Sequence, residues 1–519
     1  MESLFYSVGG HNSLGPEVGR TNSVLDSEQA LRVGAHLADA QRELQQWDDD
    51  LALLLARRAR VADRVHRCNV ALAPYKKLPV EITSQIMLNV VGVPASFPLS
   101  VGAALDPRLQ LTQVCADWRQ IAFHTPELWK IRFSRIPETS SASELASAWW
   151  SQCSGSHFSL VMDASYLHNP DALFDGISCD HFLFEHIISP HSARLVELQL
   201  AIRPETARKL LDLPAGSFHA LETLFIRVDD GYGFRATRLD DGLNTAFSLS
   251  PHLSNVTLFA RSIADPSSMR IPWSQLKELK LYRPPIPADL LLSLLSECSS
   301  LSTCVINSID DIDANMANRI FTTYRVPLRL PELTLFRVDF AGSANHNHFL
   351  RALSLPKLST LRIFCHSTVD PSNYIDILQG VGSTLEKFQI SDVEPRPILW
   401  TEDTTRFQLE KALLSCAPHL LAFTAPENHF IRPGVLTEIA SGKLLPVIQK
   451  LGFSARDLEP VLDMLETRLS QNGQEGVSVI REVLLGCPEP DSRLQGRLED
   501  LAKNGVTVKI KPFRSFNNL

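Results

Sequence analysis

One short apolar pattern recurs through the last two-thirds of this 519-residue chain. The pattern is L-x-x-L-x-L, with Ile, Val, Phe or Cys also accepted at the leucine positions. Clear copies begin at Leu195, Leu221, Leu253, Leu276, Leu301, Leu330, Leu358 and Leu385, and weaker copies begin at Leu420, Ile448 and Ile480. Successive copies start 23 to 35 residues apart, which is the spacing of a repeat array. We therefore expect one small unit stacked many times.

Helical patterns separate many of these apolar strings. They cover residues 287–298, 374–378, 407–416 and 458–469. Strands that alternate with helices at this spacing build a parallel sheet on the inner face of a curved solenoid, so the predicted fold class is α/β. The pattern resembles leucine-rich repeats. The structural alternative is a doubly wound α/β enzyme domain, which would rarely need eleven strands with the same internal pattern.

Residues between the motif leucines are expected to line the concave face of the solenoid, because alternate side chains of a strand face opposite sides. They combine both charge signs with hydroxyl and apolar groups, which suits a protein target. The predicted set is Glu197, Gln199, Thr223, Phe225, Asn255, Thr257, Glu278, Lys280, Thr303, Val305, Thr360, Arg362, Lys387 and Gln389.

A long helix is predicted near the N-terminus, starting at Asp26 with Gln29 at capping-box spacing. Two apolar rows follow at seven-residue intervals, which is the pattern of a coiled coil. One row is Val33, Ala40, Trp47, Leu54, Val61 and Cys68; the other is Leu37, Leu44, Leu51, Arg58, Val65 and Leu72, interrupted only by the arginine. Two outcomes stay open: a homodimer through residues 26–72, or a helix pair broken near Asp48 and folded back.

The segment after Pro74 contains three short motifs in order. They are Leu78, Pro79, Glu81 and Ile82; then Val114, Cys115, Trp118 and Arg119; then Pro126, Leu128 and Trp129. Helical spacing groups Ile82, Ile86 and Val90 on one face, and a second helix is expected to carry an apolar stripe from Leu111 to Ala122. These motifs resemble an F-box, followed by a repeat array as in fungal-type F-box proteins. The long loop 92–108 departs from the family pattern.

The resemblance implies a three-helix module that binds a Skp-family adaptor and, through it, a cullin. The chain would then be a non-catalytic substrate receptor of a cullin–RING ubiquitin ligase, acting in ubiquitin-dependent degradation of an unidentified protein. The implied adaptor-binding residues are Leu78, Pro79, Ile82, Ile86, Leu111, Val114, Cys115, Trp118, Arg119, Ile121, Ala122, Leu128 and Trp129. The alternative is a scaffold without a ligase role, in which these helices cap the solenoid.

Composition and motif searches exclude several other classes. Lys and Arg number 50 against 58 Asp and Glu, so a nucleic-acid partner is not expected. No apolar run approaches the length of a membrane helix, and no secretory signal is recognised, so a soluble cytoplasmic or nuclear protein is expected. The nine cysteines contain no C-x-x-C pair. His346-Asn-His348 is interpreted as a surface loop, and neither a metal site nor a cofactor is predicted.

The predicted domain organisation has five parts. They are a flexible N-terminus at 1–25, the heptad helix at 26–74, the F-box at 78–133, a connecting region at 141–190 and the leucine-rich-repeat-like domain at 191–512. The connecting region contains a predicted helix at 141–150 and a predicted strand at 158–162, which would belong to a divergent first repeat.

Overall fold

The computed structural model describes most of the chain between residues 24 and 511. The described ranges are 24–72, 77–92, 95–96, 107–129, 131–133, 157–162, 183–202, 204–228, 245–260, 266–282, 285–341, 345–365, 372–392, 404–425, 431–471, 476–487 and 490–511. The chain divides into two units, Met1–Thr83 and Ser84–Leu519. The predicted N-terminal segment, the predicted helix at 141–150 and most of the connecting region lie outside the described residues.

The first unit is dominated by one helix, α1, at Ser27–Ala71. Its capping box is formed as predicted: the Asp26 carboxylate accepts a hydrogen bond from the Gln29 amide at 2.8 Å, and the Gln29 side chain accepts one from the Asp26 amide at 3.2 Å. The helix continues through Asp48, so the alternative of a broken helix pair is wrong. No residue of α1 is buried, which leaves the heptad seam exposed.

Among its described residues, the F-box-like segment contains four short helical pieces. They are α2 at Val80–Val91, α3 at Pro107–Val114, α4 at Ala116–Phe123 and a 3-10 turn at Pro126–Trp129. The predicted continuous second helix is wrong, because the backbone is extended at Cys115 with φ at −162°. There the Cys115 thiol accepts a hydrogen bond from the Trp118 amide at 3.5 Å and caps α4.

In the part of the second unit that the structure describes, fifteen strands form one parallel sheet in chain order. They are β1 Ala95–Ser96, β2 Ile131–Phe133, β3 Phe158–Met162, β4 Leu195–Ile202, β5 Thr223–Val228, β6 Asn255–Ala260, β7 Glu278–Tyr282, β8 Thr303–Ile309, β10 Leu335–Phe340, β12 Thr360–Cys365, β13 Lys387–Asp392, β14 Ala422–Thr424, β15 Lys450–Ser454, β16 Glu482–Gly486 and β17 Thr507–Lys511. Two short strands, β9 Leu328–Arg329 and β11 Leu353–Ser354, pair separately. The predicted α/β array of parallel strands is confirmed.

Helices connect many of the neighbouring strands. They are α5 Pro204–Leu211, α6 Ala288–Glu297, α7 Ala314–Thr323, α8 His346–Arg351, α9 Ser372–Val381, α10 Thr404–Ser415, α11 Pro433–Ala440, α12 Glu459–Ser470 and α13 Ser492–Lys503. From α6 onward each helix contacts the next one, so they form a layer that follows the strand order. The motif leucines fill the space between strands and helices: Leu198, Leu279 and Leu361 are all 0% exposed.

The register of the sheet corrects one repeat. Phe336 is aligned with Cys304 on one side and with Leu361 on the other. The sixth motif is therefore Leu333-x-x-Phe336-x-Val338, and the assignment that began at Leu330 is wrong by three residues. Because Leu330 and Leu333 are both buried, spacing alone could not distinguish the two registers. The predicted strand at 158–162 is confirmed as β3, whereas β1, β2 and β17 were not predicted.

Candidate protein-interaction surfaces

Helix α2 presents apolar side chains to solvent. Ile82, Ile86 and Val90 recur every four residues and are 49%, 36% and 58% exposed, and we call them the exposed face of α2. Leu78, just before the helix, is 38% exposed. On the other side of the helix, Met87 is completely buried. The helix therefore has apolar residues on both its buried and its exposed sides.

Other residues of the F-box-like segment pack inward. The Trp129 indole is 2% exposed, donates a hydrogen bond to the Ala122 carbonyl at 2.8 Å and stacks on Phe123 with 5.5 Å between ring centroids. Leu128 and Ala122 are buried beside it and belong to the same apolar core as the repeat strands. Strand β2 follows at once and pairs with β1 on one side and β3 on the other, so the sheet starts within this segment.

The thirteen predicted adaptor-binding residues divide by exposure. Exposed residues are Leu78, Pro79, Ile82, Ile86, Val114 and Arg119, and half-buried residues are Cys115, Trp118 and Ile121. Buried residues are Leu111, Ala122, Leu128 and Trp129. In the structure the side chains of these four residues lie in the apolar core and contribute no exposed surface. Arg119 also has a structural task, since its Nε donates to the Thr112 carbonyl at 2.9 Å across the α3–α4 break.

The face of the sheet opposite the buried leucines, here called the open face, carries the residues predicted to be concave. Equivalent positions of successive strands lie side by side: Gln199 beside Phe225, Phe225 beside Thr257, and Thr257 beside Lys280. Within the predicted set, Arg362 and Lys387 are exposed, most of the others are half-buried, and Val305 and Thr360 are buried. These side chains therefore lie on the opposite side of the strands from the buried leucines, as the alternation along a strand predicts.

Two clusters on the open face combine arginine with aromatic rings. The Arg227 guanidinium lies 5.1 Å from the Phe259 ring centroid, and Phe259 stacks on Tyr282 at 6.0 Å. Further along the sheet, Arg337 lies 4.6 Å from the centroid of Phe364. Cation–π pairs of this kind supply flat surfaces with a charged rim, which are frequent in protein interfaces. The sequence analysis missed most of these residues because they lie one step beyond the L-x-x-L-x-L string, and it missed Arg337 because that repeat was assigned three residues too early.

An ion-pair ladder crosses the last three strands. The Glu482 carboxylate on β16 is 2.8 Å from Lys450 Nζ on β15 and 2.8 Å from Lys509 Nζ on β17. Hydrogen bonds from the two ammonium groups lower the pKa of Glu482 from 4.5 to about 2. The C-terminal part of the open face therefore keeps this carboxylate charged well into acid.

We expect this ladder to make a small contribution to acid stability. A carboxylate with a depressed pKa stabilises the folded state above the pKa of the unfolded chain, and that contribution is lost as the pH falls from 4.5 toward 2. Replacing Glu482 with Gln should remove that part of the pH dependence and leave stability at low pH unchanged. Urea unfolding of both proteins between pH 2 and 7 measures it; identical pH profiles would contradict the ladder.

Acidic and histidine side chains that could suggest a metal site take structural roles. Asp313 caps α7 by accepting a hydrogen bond from the Met316 amide at 2.6 Å. His346 is 3% exposed and stacks between Phe340 and Tyr374, so its interpretation as a surface-loop residue is wrong. Among the described residues no three His, Cys, Asp or Glu side chains could hold a metal ion together. No described helix combines the length and the hydropathy of a membrane span.

Comparisons with known proteins do not assign this chain to a family. No protein-family model matches the chain, and no curated protein matches it. Among solved structures, the chain is similar to the leucine-rich repeat-containing protein LegL7 from Legionella pneumophila, with a TM-score of 0.31 and 12% identity. That match covers 59% of this chain and 99% of the other. A likeness this distant carries no functional argument, so function must be argued from the surfaces themselves.

Proposed function

We propose that this protein is a non-catalytic substrate receptor of a Skp–cullin–F-box ubiquitin ligase. In this proposal the F-box-like segment binds a Skp-family adaptor, and the open face of the repeat sheet binds a target protein. The observation that carries it is the exposed face of α2, since Ile82, Ile86 and Val90 lie in solvent although the neighbouring motif residues are packed. Apolar side chains grouped on an exposed face favour a protein interface.

The adaptor half of the proposal is supported by where the three motifs lie. Leu78 and Pro79 come immediately before α2, so the first motif leads into the exposed face of that helix. The third motif ends in Leu128 and Trp129, which are buried in the repeat core. The segment is thus tied to the array by one end while α2 offers apolar side chains to a partner.

The target half of the proposal rests on the chemistry of the open face. A parallel sheet usually has both faces covered, yet the open face here carries half-buried polar and charged side chains. Glu278 and Lys280 form an ion pair at 2.5 Å beside the Phe259–Tyr282 stack. Mixed charge next to aromatic rings suits a folded protein or an extended peptide as the target.

A second candidate function has an observation in its favour. Because β1 and β2 of this segment are the first strands of the sheet and Trp129 belongs to the repeat core, the F-box-like helices also suit the role of a cap on the first repeat. Terminal repeats need such caps to keep apolar edges from water. In that case the protein is a repeat scaffold that binds its partner without an adaptor, and the exposed face of α2 is not an adaptor-binding site.

Replacing Ile82 and Ile86 together with aspartate separates the two functions. If α2 binds the adaptor, the double change should weaken binding about thirtyfold or more, because few apolar side chains dominate such interfaces. The repeats should stay folded, since both side chains are exposed. Binding to purified Skp-family adaptor is measured by titration calorimetry with the full chain.

Glu81→Ala is the matched control on the same helix. Glu81 is exposed on the side of α2 away from Ile86, and its replacement should leave adaptor binding unchanged. Circular dichroism of all three proteins checks that folding is kept. If the wild-type chain does not bind the adaptor at micromolar concentrations, or the double variant binds as well as the wild type, the receptor proposal fails and the capped scaffold replaces it.

A further inference from the structure

Helix α1 has an apolar seam that nothing on the helix itself covers. Leu37, Leu44 and Leu51 are each more than half exposed, and Trp47 is 64% exposed. These residues occupy the two heptad rows, in which positions recur every seven residues on one side of a 45-residue helix. A seam of this length and regularity fits another helix of the same period. The charges of α1 indicate which helix that is and whether it runs parallel or antiparallel to α1.

Charge is distributed unevenly along α1. Residues 27–50 contain six acidic and two basic side chains, whereas residues 51–71 contain five arginines and one aspartate. Each helix is therefore negative in its first half and positive in its second. The ion pairs within α1 join Glu28 to Arg32, Asp39 to Arg42, and Asp63 to Arg67. Four acidic side chains of the first half and four arginines of the second half take no part in these three pairs.

We propose that α1 forms an antiparallel coiled coil with the α1 of a second copy of this chain. Antiparallel pairing sets the acidic half of each helix against the basic half of the other, whereas parallel pairing sets like charges together. This inference does not depend on the proposed ligase function, because it rests on α1 alone.

Charge and packing together select one register. When Leu51 packs against Leu54 of the second copy, Leu44 meets Val61 of the second copy across the same seam. In that register the flanking positions bring Asp50 beside Arg57 of the second copy and Glu43 beside Arg64 of the second copy. By symmetry each pair occurs twice. Moving one helix by a heptad, so that Leu51 meets Trp47 of the second copy, instead sets Asp50 against Asp50.

The same register also gives a favourable partner to Arg58, the single polar residue in the seam. Arg58 falls opposite Trp47 of the second copy, where the guanidinium can lie on the indole face as a cation–π pair. In a parallel dimer Arg58 would face Arg58, and Glu43 would lie beside Asp48 of the second copy. Arginine in an apolar row is costly in the parallel arrangement and favourable in the antiparallel one.

Chemical cross-linking of the full chain tests the direction. Cys68 is an exposed cysteine in the seam, and in the proposed register it lies opposite Leu37 of the second copy. The two copies of Cys68 are then about 45 Å apart at 1.5 Å per residue, beyond the reach of a short bifunctional maleimide. The Leu37→Cys variant should therefore give a cross-linked dimer through position 37 and Cys68, identified by peptide mass spectrometry. Adding Cys68→Ala should abolish it.

Charge reversal tests the register in solution. Arg57→Glu places two acidic pairs across the seam and should weaken dimerisation about tenfold at low salt, as measured by sedimentation equilibrium. The double change Asp50→Arg/Arg57→Glu restores opposite charges only in the antiparallel register and should recover wild-type affinity. A monomeric wild-type chain, cross-linking of Cys68 to Cys68, or a double variant as weak as the single one would overturn the proposal.

Discussion

Replacing Arg468 with methionine is expected to lower the free energy of unfolding by about 3–5 kcal/mol. Arg468 lies on α12, is 1% exposed and donates hydrogen bonds to four backbone carbonyls. Three of them are those of Ser478 at 2.8 Å, Ile439 at 2.6 Å and Leu445 at 2.8 Å, and the fourth is that of Pro446. Methionine fills similar space but leaves these carbonyls without a donor.

The loss should be large because the loop that Arg468 holds has a strained backbone. Leu445 has φ at +48°, in the left-handed region that residues with a side chain rarely adopt, and Gly442 has φ at +72°. Burial lowers the pKa of Arg468, yet the carbonyl dipoles around the guanidinium stabilise its charge. The loop between α11 and β15 should therefore lose its conformation when the guanidinium is removed.

Arg497→Met is the matched control, since it makes the same change one helix later. Arg497 on α13 pairs with Asp463 at 2.6 Å and with Glu466 at 2.7 Å, and both carboxylates are largely exposed. Exposed pairs of this kind stabilise by about 1 kcal/mol or less. Urea unfolding monitored by circular dichroism compares the two variants, and equal losses of stability would contradict the role of Arg468.

Replacing Leu279 with alanine is expected to cost about 2–5 kcal/mol, because it leaves a cavity in a core that cannot close around it. Leu279 on β7 is 0% exposed and lies in register with Val256 on one side and Cys304 on the other. The motif positions of three neighbouring strands therefore share one apolar layer. A cavity there should also loosen the adjoining repeats.

The neighbouring Lys280→Ala supplies the comparison on the same strand. Lys280 faces the open side of the sheet, and its loss should change stability by about 0.5 kcal/mol or less. Thermal unfolding of both variants and of the wild type provides the measurement. A melting temperature unmoved by Leu279→Ala, or moved as much by Lys280→Ala, would be incompatible with the repeat core described above.

The sequence predicted the repeat sheet well because the repeat is built from local rules. Each L-x-x-L-x-L string carries its own strand, and the buried and open sides follow from alternation, as Leu198 and Gln199 illustrate. The predicted register is wrong only at Leu330, because apolar residues three positions apart allow the motif to start at either Leu330 or Leu333. The capping box at Asp26 was predictable for the same reason, since it depends on residues three positions apart.

Features that depend on distant parts of the chain could not be predicted. In the sequence, Arg468 looks like an ordinary exposed arginine on a helix. Its structural role comes only from the loop that folds against it and accepts its hydrogen bonds. The break at Cys115 is hidden because Leu111 and Trp118 keep a helical interval across it. Exposure was the hardest feature to predict at the candidate site, because Ile82 and Leu111 are equally apolar, yet Ile82 is exposed and Leu111 is buried.

Hydrogen–deuterium exchange of the full chain, with and without a purified Skp-family adaptor, tests the central claim most directly. It maps binding onto the sequence without a mutation and compares the two surfaces in one experiment. The proposed receptor predicts that adaptor slows exchange in α2, at residues 80–91, and leaves strands β4 to β17 unchanged. Unchanged exchange throughout the chain, or protection confined to the repeat strands, would contradict it.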